Sequence, residues 1–127
     1  MVRPAAKELT ERELEVMHVF WTGGQSTVAE IRSRLAATGR DLAYTTVATL
    51  VRILTEKGFV EQTNSERPFQ HRSVRDFDEV SRSILGNLVE RVFHGSREQL
   101  LVRLLAERRL TAKERAVLEA VLREKKP

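Results

Sequence analysis

A mainly helical fold with one small β-ribbon is what this sequence predicts, and three observations carry the expectation. Helix-opening capping pairs recur four times, as Thr10 with Glu13, Thr27 with Glu30, Ser96 with Gln99 and Thr111 with Glu114. An amphipathic segment from Ala43 to Glu56 stops at Lys57-Gly58 and runs directly into two short β-rich stretches joined by a polar turn. Beyond Val74 the apolar period returns to that of a helix and keeps it almost to the end of the chain.

The first helix is expected over about residues 11 to 21. Leu9 can staple onto Leu14, the stripe continues through Met17 and Trp21, and Gly23-Gly24 ends it. The second helix follows Thr27, turns Val28, Ile31 and Leu35 inward, and ends near Thr38-Gly39. Arg40-Asp41-Leu42 then leads to the third, where Val47, Leu50, Val51 and Leu54 share one stripe and Thr45, Thr49, Arg52 and Glu56 the opposite face. Gly58 suits the left-handed position after a helix. Phe59 to Thr63 reads as a strand, Asn64 to Arg67 as a turn, and Phe69 to Val74 as the returning strand, with Pro68 at the ribbon's edge. Helix, helix, helix, hairpin is the order of a winged helix-turn-helix, expected to occupy residues 1–75.

Residues 76–127 read as a second, helical module of three helices. Asp76 caps a long helix bearing Phe77, Val80, Ile84, Leu85, Leu88 and Val92. After His94-Gly95 comes a short helix with Leu100, Leu101, Leu104 and Leu105, then a last one with Val117, Leu118, Val121 and Leu122. A module of roughly 50 residues rarely supplies enough core for stripes this wide. A homodimer is therefore expected, built on Ile84, Leu85, Leu88, Val92, Leu101, Leu105, Leu118, Val121 and Leu122. The alternative is a monomer whose last helices fold back on the first domain.

Composition narrows the function further. Hydrophobic content of 41% and charged content of 31% fit a globular protein, and no apolar run approaches the length of a membrane span. The start M-V-R-P-A-A-K-E has no signal-peptide core, so a cytoplasmic place without membrane insertion is expected. There is no cysteine, hence no disulfide and no thiolate metal site, and His18, His71 and His94 lack ligand spacing. No metal or other cofactor is expected. Phosphate-loop, G-x-S-x-G and H-E-x-x-H patterns are all missing, so enzymatic activity is not expected. The net charge of +4 leans gently toward a polyanionic partner.

A helix that enters a major groove needs small hydrogen-bonding side chains near its start, which here are Thr45, Thr46 and Thr49, with Arg52 a turn further on. Tyr44 and the wing residues Arg67 and Arg72 are candidates for phosphate or minor-groove contacts. Each has a competing structural role: Tyr44 as a packing residue, Thr46 as a local hydrogen-bonder, Arg52 as the i,i+4 partner of Glu56. Double-stranded DNA is the leading partner; a winged helix serving as a protein-interaction module in a larger assembly is the alternative.

Four segments together, Leu9 to Trp21, Ala43 to Val60, Pro68 to His71 and Arg91 to Ser96, give the chain a marked similarity to known proteins. It resembles the BlaI/MecI/CopY penicillinase-repressor family over nearly its whole length, most specifically in the block from A-Y-T-T-V to K-G. The resemblance implies a homodimeric transcriptional repressor that binds inverted-repeat operators through a winged helix and dimerises through its C-terminal helices. In β-lactam-responsive members a membrane sensor protease triggers cleavage at an Asn-Phe bond, which aligns with Arg103-Leu104; neither residue matches. The copper-responsive branch uses a C-terminal cysteine motif that this chain does not carry.

Overall fold

Thr10 and Glu13 close the first helix against fraying in both directions. Glu13 N–H donates to Thr10 Oγ1 at 3.1 Å and Thr10 N–H to Glu13 Oε1 at 3.0 Å, so two otherwise unpaired donors are satisfied. In this computed structural model, which describes residues 8–106 and 108–124, α1 spans Glu11–Gly23, α2 Val28–Ala37 and α3 Tyr44–Glu56. The Thr27–Glu30 box opens α2 in the same reciprocal way. A Schellman turn ends α3: Gly58, at φ 86°, donates to Thr55 O and Phe59 to Leu54 O. That turn sends the chain straight into the ribbon.

The sheet has three strands rather than the two expected of a hairpin. Ser26–Thr27 (β1), Val60–Gln62 (β2) and Gln70–Ser73 (β3) form an antiparallel sheet in the order β1-β3-β2. Ser26 stands opposite His71 and Thr27 opposite Gln70, while Val60, Glu61 and Gln62 face Ser73, Arg72 and His71. Two residues are too short to show an alternating pattern, which is why β1 reads in sequence only as the cap of α2. The ribbon's tip is also longer than a turn over Asn64 to Arg67. Backbone bonds join Val74 N–H to Phe59 O and Thr63 N–H to Gln70 O, and the Asn64 side chain spans what remains. Its Oδ1 accepts from Gln70 N–H at 2.7 Å and its amide donates to Glu66 O and Pro68 O.

The core of this part collects Val16, Met17, Val19 and Phe20 from α1, Ile31 and Leu35 from α2, and Val47, Val51 and Leu54 from α3, closed by Phe59, Val60 and Val80. Each such side chain removed from water contributes roughly 1.5–3 kcal/mol. On α1 the buried stripe is therefore broader than Leu14, Met17 and Trp21: Leu14 and Trp21 lie at its margin, only half-buried. Trp21 is held there by its indole N–H, which donates to Arg75 O at 2.9 Å, and by an edge-on contact with Phe77. Arg34 locks the α1–α2 junction. Its Nη1 donates to Ser26 Oγ at 3.2 Å and lies where a Cβ on Gly23 would come within 1.7 Å.

The chain divides into two compact units inside α4 (Phe77–Val92), between Ile84 and Leu85. Asp76 opens α4 by accepting from Glu79 N–H, and Val80 belongs to the first unit's core. In the second unit α4 ends with His94 and Gly95 in the left-handed region, Gly95 N–H donating to Val89 O at 2.8 Å. Then follow α5 (Arg97–Ala106), with Gln99 N–H on Ser96 Oγ, and α6 (Ala112–Glu124), opened by a reciprocal Thr111–Glu114 box. Among the described residues, neither α5 nor α6 buries a side chain.

Glu13 does more than cap. It is only 4% exposed and accepts from Lys57 Nζ at 2.7 Å. Burial pushes its carboxyl up, but the Lys57 ammonium and the Thr10 backbone N–H outweigh burial and hold it below 4.5. We expect Lys57→Met to cost about 2 kcal/mol, below the 3–5 of a fully buried pair because Lys57 keeps some solvent, and Glu13→Gln about 1. Because the folded value is lowered, wild-type stability is complete above pH 4.5 and lost as pH falls through that folded value. Urea unfolding between neutral and acid pH should show that step, and Glu13→Gln should make it smaller, leaving the part due to Glu15, whose carboxyl Arg40 also holds below 4.5.

Candidate nucleic-acid interface

One face of α3 is packed and the other is bare. Val47, Val51 and Leu54 point into the core and Leu50 lies at its edge, so the 3.6-residue period turns Thr45, Thr49 and Arg52 outward. Thr46 is exposed as well, and Tyr44, at the helix start, is 50% exposed. The N-cap, Ala43, provides no side-chain hydrogen bond, so the first turn of α3 lacks the capping that α1 and α2 have. Neither Tyr44 nor any of the three threonine hydroxyls makes a hydrogen bond among the described residues. The local hydrogen bonding that could have occupied Thr46 is therefore not used, while Tyr44 is half covered. Arg52 differs, since its Nη1 donates to Glu56 Oε2 at 2.9 Å in an exposed i,i+4 pair. Such a pair is worth at most about 1 kcal/mol and yields readily to a better anion.

The wing presents its two arginines in different states. Arg72, directly opposite Glu61 in the β2–β3 register, donates to that carboxylate at 2.6 Å. Arg67 sits over the Phe69 ring, 5.3 Å from its centroid, and has no carboxylate partner among the described residues. Between the start of α2, the outer face of α3 and the wing lies a groove of about 620 Å³ that brings Tyr44, Arg52 and Arg67 together. Thr45, Thr46, Thr49 and Arg72 do not line it; they flank it on the helix and the ribbon.

His71, which the sequence marks only as a histidine without ligand spacing, is packed beside the candidate interface residues. It sits in the middle strand, lines the groove and is only 9% exposed, and its Nδ1 has no hydrogen-bond partner among the described residues. Burial pushes its pKa below 6.5. The only advance signal was its place in a strand alternating with Arg72, and that pattern cannot distinguish a packed imidazole from an exposed one.

Every side chain expected at a dimer interface is exposed: Ile84, at the end of the first unit, and Leu85, Leu88, Val92, Leu101, Leu105, Leu118, Val121 and Leu122 in the second. Arg103 and Leu104 lie within α5, Leu104 being 60% exposed. Among the described residues there is no cluster of metal-ligating side chains, and no helix is long and apolar enough to cross a membrane.

Comparison with known proteins agrees with this fold. The sequence profile of a family described as "Penicillinase repressor" matches residues 9–124. The methicillin resistance regulatory protein MecI of Mammaliicoccus sciuri is 24% identical over 118 residues, covering 93% of this chain and 95% of that protein. The transcriptional regulator BlaI of Mycobacterium tuberculosis (strain CDC 1551 / Oshkosh) is 33% identical over 96 residues, 74% of this chain and 69% of that one. Among solved structures, hsRosR in one of its complexes superposes with a TM-score of 0.55 at 15% identity, covering 92% and 89% of the two chains. A MarR family protein from Bacillus stearothermophilus gives 0.51 at 22% identity, covering 91% and 71%. These likenesses support the winged-helix fold.

The buried imidazole leads to a pH dependence of its own. With the folded pKa lowered, stability is complete above about pH 6.5 and is lost as pH falls through the folded value, because the unfolded chain takes the proton first. His71→Phe should remove this step. Unfolding curves for both proteins from about pH 7.5 down to 5 should diverge in slope; parallel curves would mean the imidazole is hydrated in solution.

Proposed function

The chain belongs to the penicillinase repressor family, and from that premise and the geometry of α3 we propose that it is a DNA-binding transcriptional repressor that acts by binding rather than by catalysis. The observation that carries the reading is the bare outer face of α3, with three threonine hydroxyls that have no hydrogen-bond partner among the described residues, beside a wing whose Arg67 has no carboxylate partner among them. Small side chains allow a helix to approach base edges closely, and hydroxyls can donate or accept there. In this reading Thr45, Thr46, Thr49 and Arg52 face the major groove, while Tyr44, Arg67 and Arg72 contact the backbone or the adjoining minor groove. Arg52 and Arg72 then exchange exposed carboxylates for DNA, at little cost. The protein works in the cytoplasm on inverted-repeat operators.

A homodimer fits the second unit, whose large apolar side chains have few partners in their own chain. Pairing two copies presents two winged helices to a two-fold operator and makes the second half-site contact effectively intramolecular. A cut at Arg103–Leu104 by a membrane sensor protease would break α5 and separate α6 from α4, undoing that avidity. The family's Asn-Phe pair is absent at this bond, so such a protease would have to accept Arg-Leu.

Gel shifts on duplex DNA taken from upstream of the chain's own gene, against a scrambled duplex and over a salt series, test the reading. Specific, salt-sensitive retardation is expected. Thr46→Glu with Thr49→Glu should abolish it, since carboxylates meet phosphate repulsion, while helical content stays unchanged; near wild-type binding by this variant would remove α3 from the interface. Leu88→Asp should give a folded monomer in sedimentation equilibrium that binds a two-half-site duplex no better than a one-half-site duplex. A wild-type chain that is itself monomeric at tens of micromolar would end the dimer reading.

A further inference from the structure

Two polar side chains without polar partners among the described residues meet the groove between α3 and the wing. The Tyr44 hydroxyl has no hydrogen bond there and Arg67 no ion pair, and the His71 ring contributes to the lining. The rest of the lining is largely apolar, including Val28, Ala48 and Phe69. Its volume of about 620 Å³ lies within the roughly 300–1,000 Å³ of clefts that hold small organic ligands. Charge selects among occupants: Arg52 and Arg67 outweigh Glu56, so the groove favours an anion. Inorganic anions would leave the apolar wall wet, and cations would find Arg67 opposed to them. A carboxylate can pair with a guanidinium through two parallel hydrogen bonds while an attached ring or branched chain covers the wall.

We propose that this groove receives a small amphipathic carboxylate that competes with DNA for Tyr44, Arg52 and Arg67. The competition rests on the DNA-binding reading above; the site itself does not. Binding of such a ligand and binding of operator exclude each other, so the ligand releases the repressor without cleavage and without a cysteine, which the chain lacks.

The test uses the intact chain with matched acid and amide probes: 1-naphthylacetate against 1-naphthylacetamide, and indole-3-acetate against indole-3-acetamide. At millimolar concentration each acid should shift amide resonances at the start of α2, along α3 and in the wing, and each neutral amide should bind about tenfold more weakly. Ala48→Leu, which fills the groove, should lose these shifts while keeping operator binding in the absence of acid. The surface change Arg67→Gln should bring acid affinity down to that of the amide. In gel shifts each acid should weaken operator binding by the wild-type chain and not by Ala48→Leu. Absence of groove shifts with both acids, equal binding of acid and amide, or undiminished binding to Ala48→Leu would overturn the proposal. If groove shifts occur but the chain binds no DNA even without acid, the site stands and the DNA reading falls.

Discussion

A single buried carboxylate joins the two ends of the helical scaffold. Glu13 accepts at once from the Thr10 backbone and from Lys57, so the first turn of α1 is tied to the residue that closes α3. Lys57 Nζ also reaches Glu8 O at 3.0 Å, which brings the segment before α1 into the same knot. The position of α3's end decides where the Gly58 turn releases the chain, and hence where β2 and the wing begin. Such an ion pair contributes little net stability over an apolar contact of the same shape, since Glu13 is stripped of water and Lys57 partly so. What Glu13 and Lys57 add is a fixed geometry, because only one placement of the two helices satisfies the cap and the pair together.

Much of this was legible in the sequence because it is local. Capping boxes, the stop at Gly58 and the apolar stripe of α3 each depend on neighbours within about a helical turn, and they are in place, except that the Ser96–Gln99 pair forms only its Gln99 N–H half, Ser96 N–H donating to Phe93 O instead. Long-range features were harder to read. β1 exists only because Ser26 and Thr27 find His71 and Gln70 more than forty positions away. The wing's longer tip depends on Asn64 bridging to Pro68 and Gln70, and the wide buried stripe of α1 depends on having elements on both sides of it. Periodicity shows which face of a helix is apolar but not how far its neighbours wrap around it.

The same division runs through the candidate interface. The outward threonines follow from helical spacing alone, and their hydroxyls have no hydrogen-bond partner among the described residues. The Arg52–Glu56 pair is also a matter of spacing. Arg72 faces Glu61 because of strand register, and His71 lies buried in the middle strand between β1 and β2, neither of which a single sequence displays. The groove is likewise a product of three separated segments, visible only once the fold has brought them together.

Because β3 is bonded on both sides, its register is set twice over, by β1 and by β2. A slip of one residue would bring Arg72 inward and expel His71, so burial enforces the pairing as well. Residues 64–69 are outside that restraint, tied mainly through the Asn64 side chain. Chain can therefore be added at this tip without disturbing the strands beneath, since each doubling of a flexible loop costs only about 0.6 kcal/mol. The reach of the wing is thus a dimension that can drift between related chains while the scaffold under it stays the same.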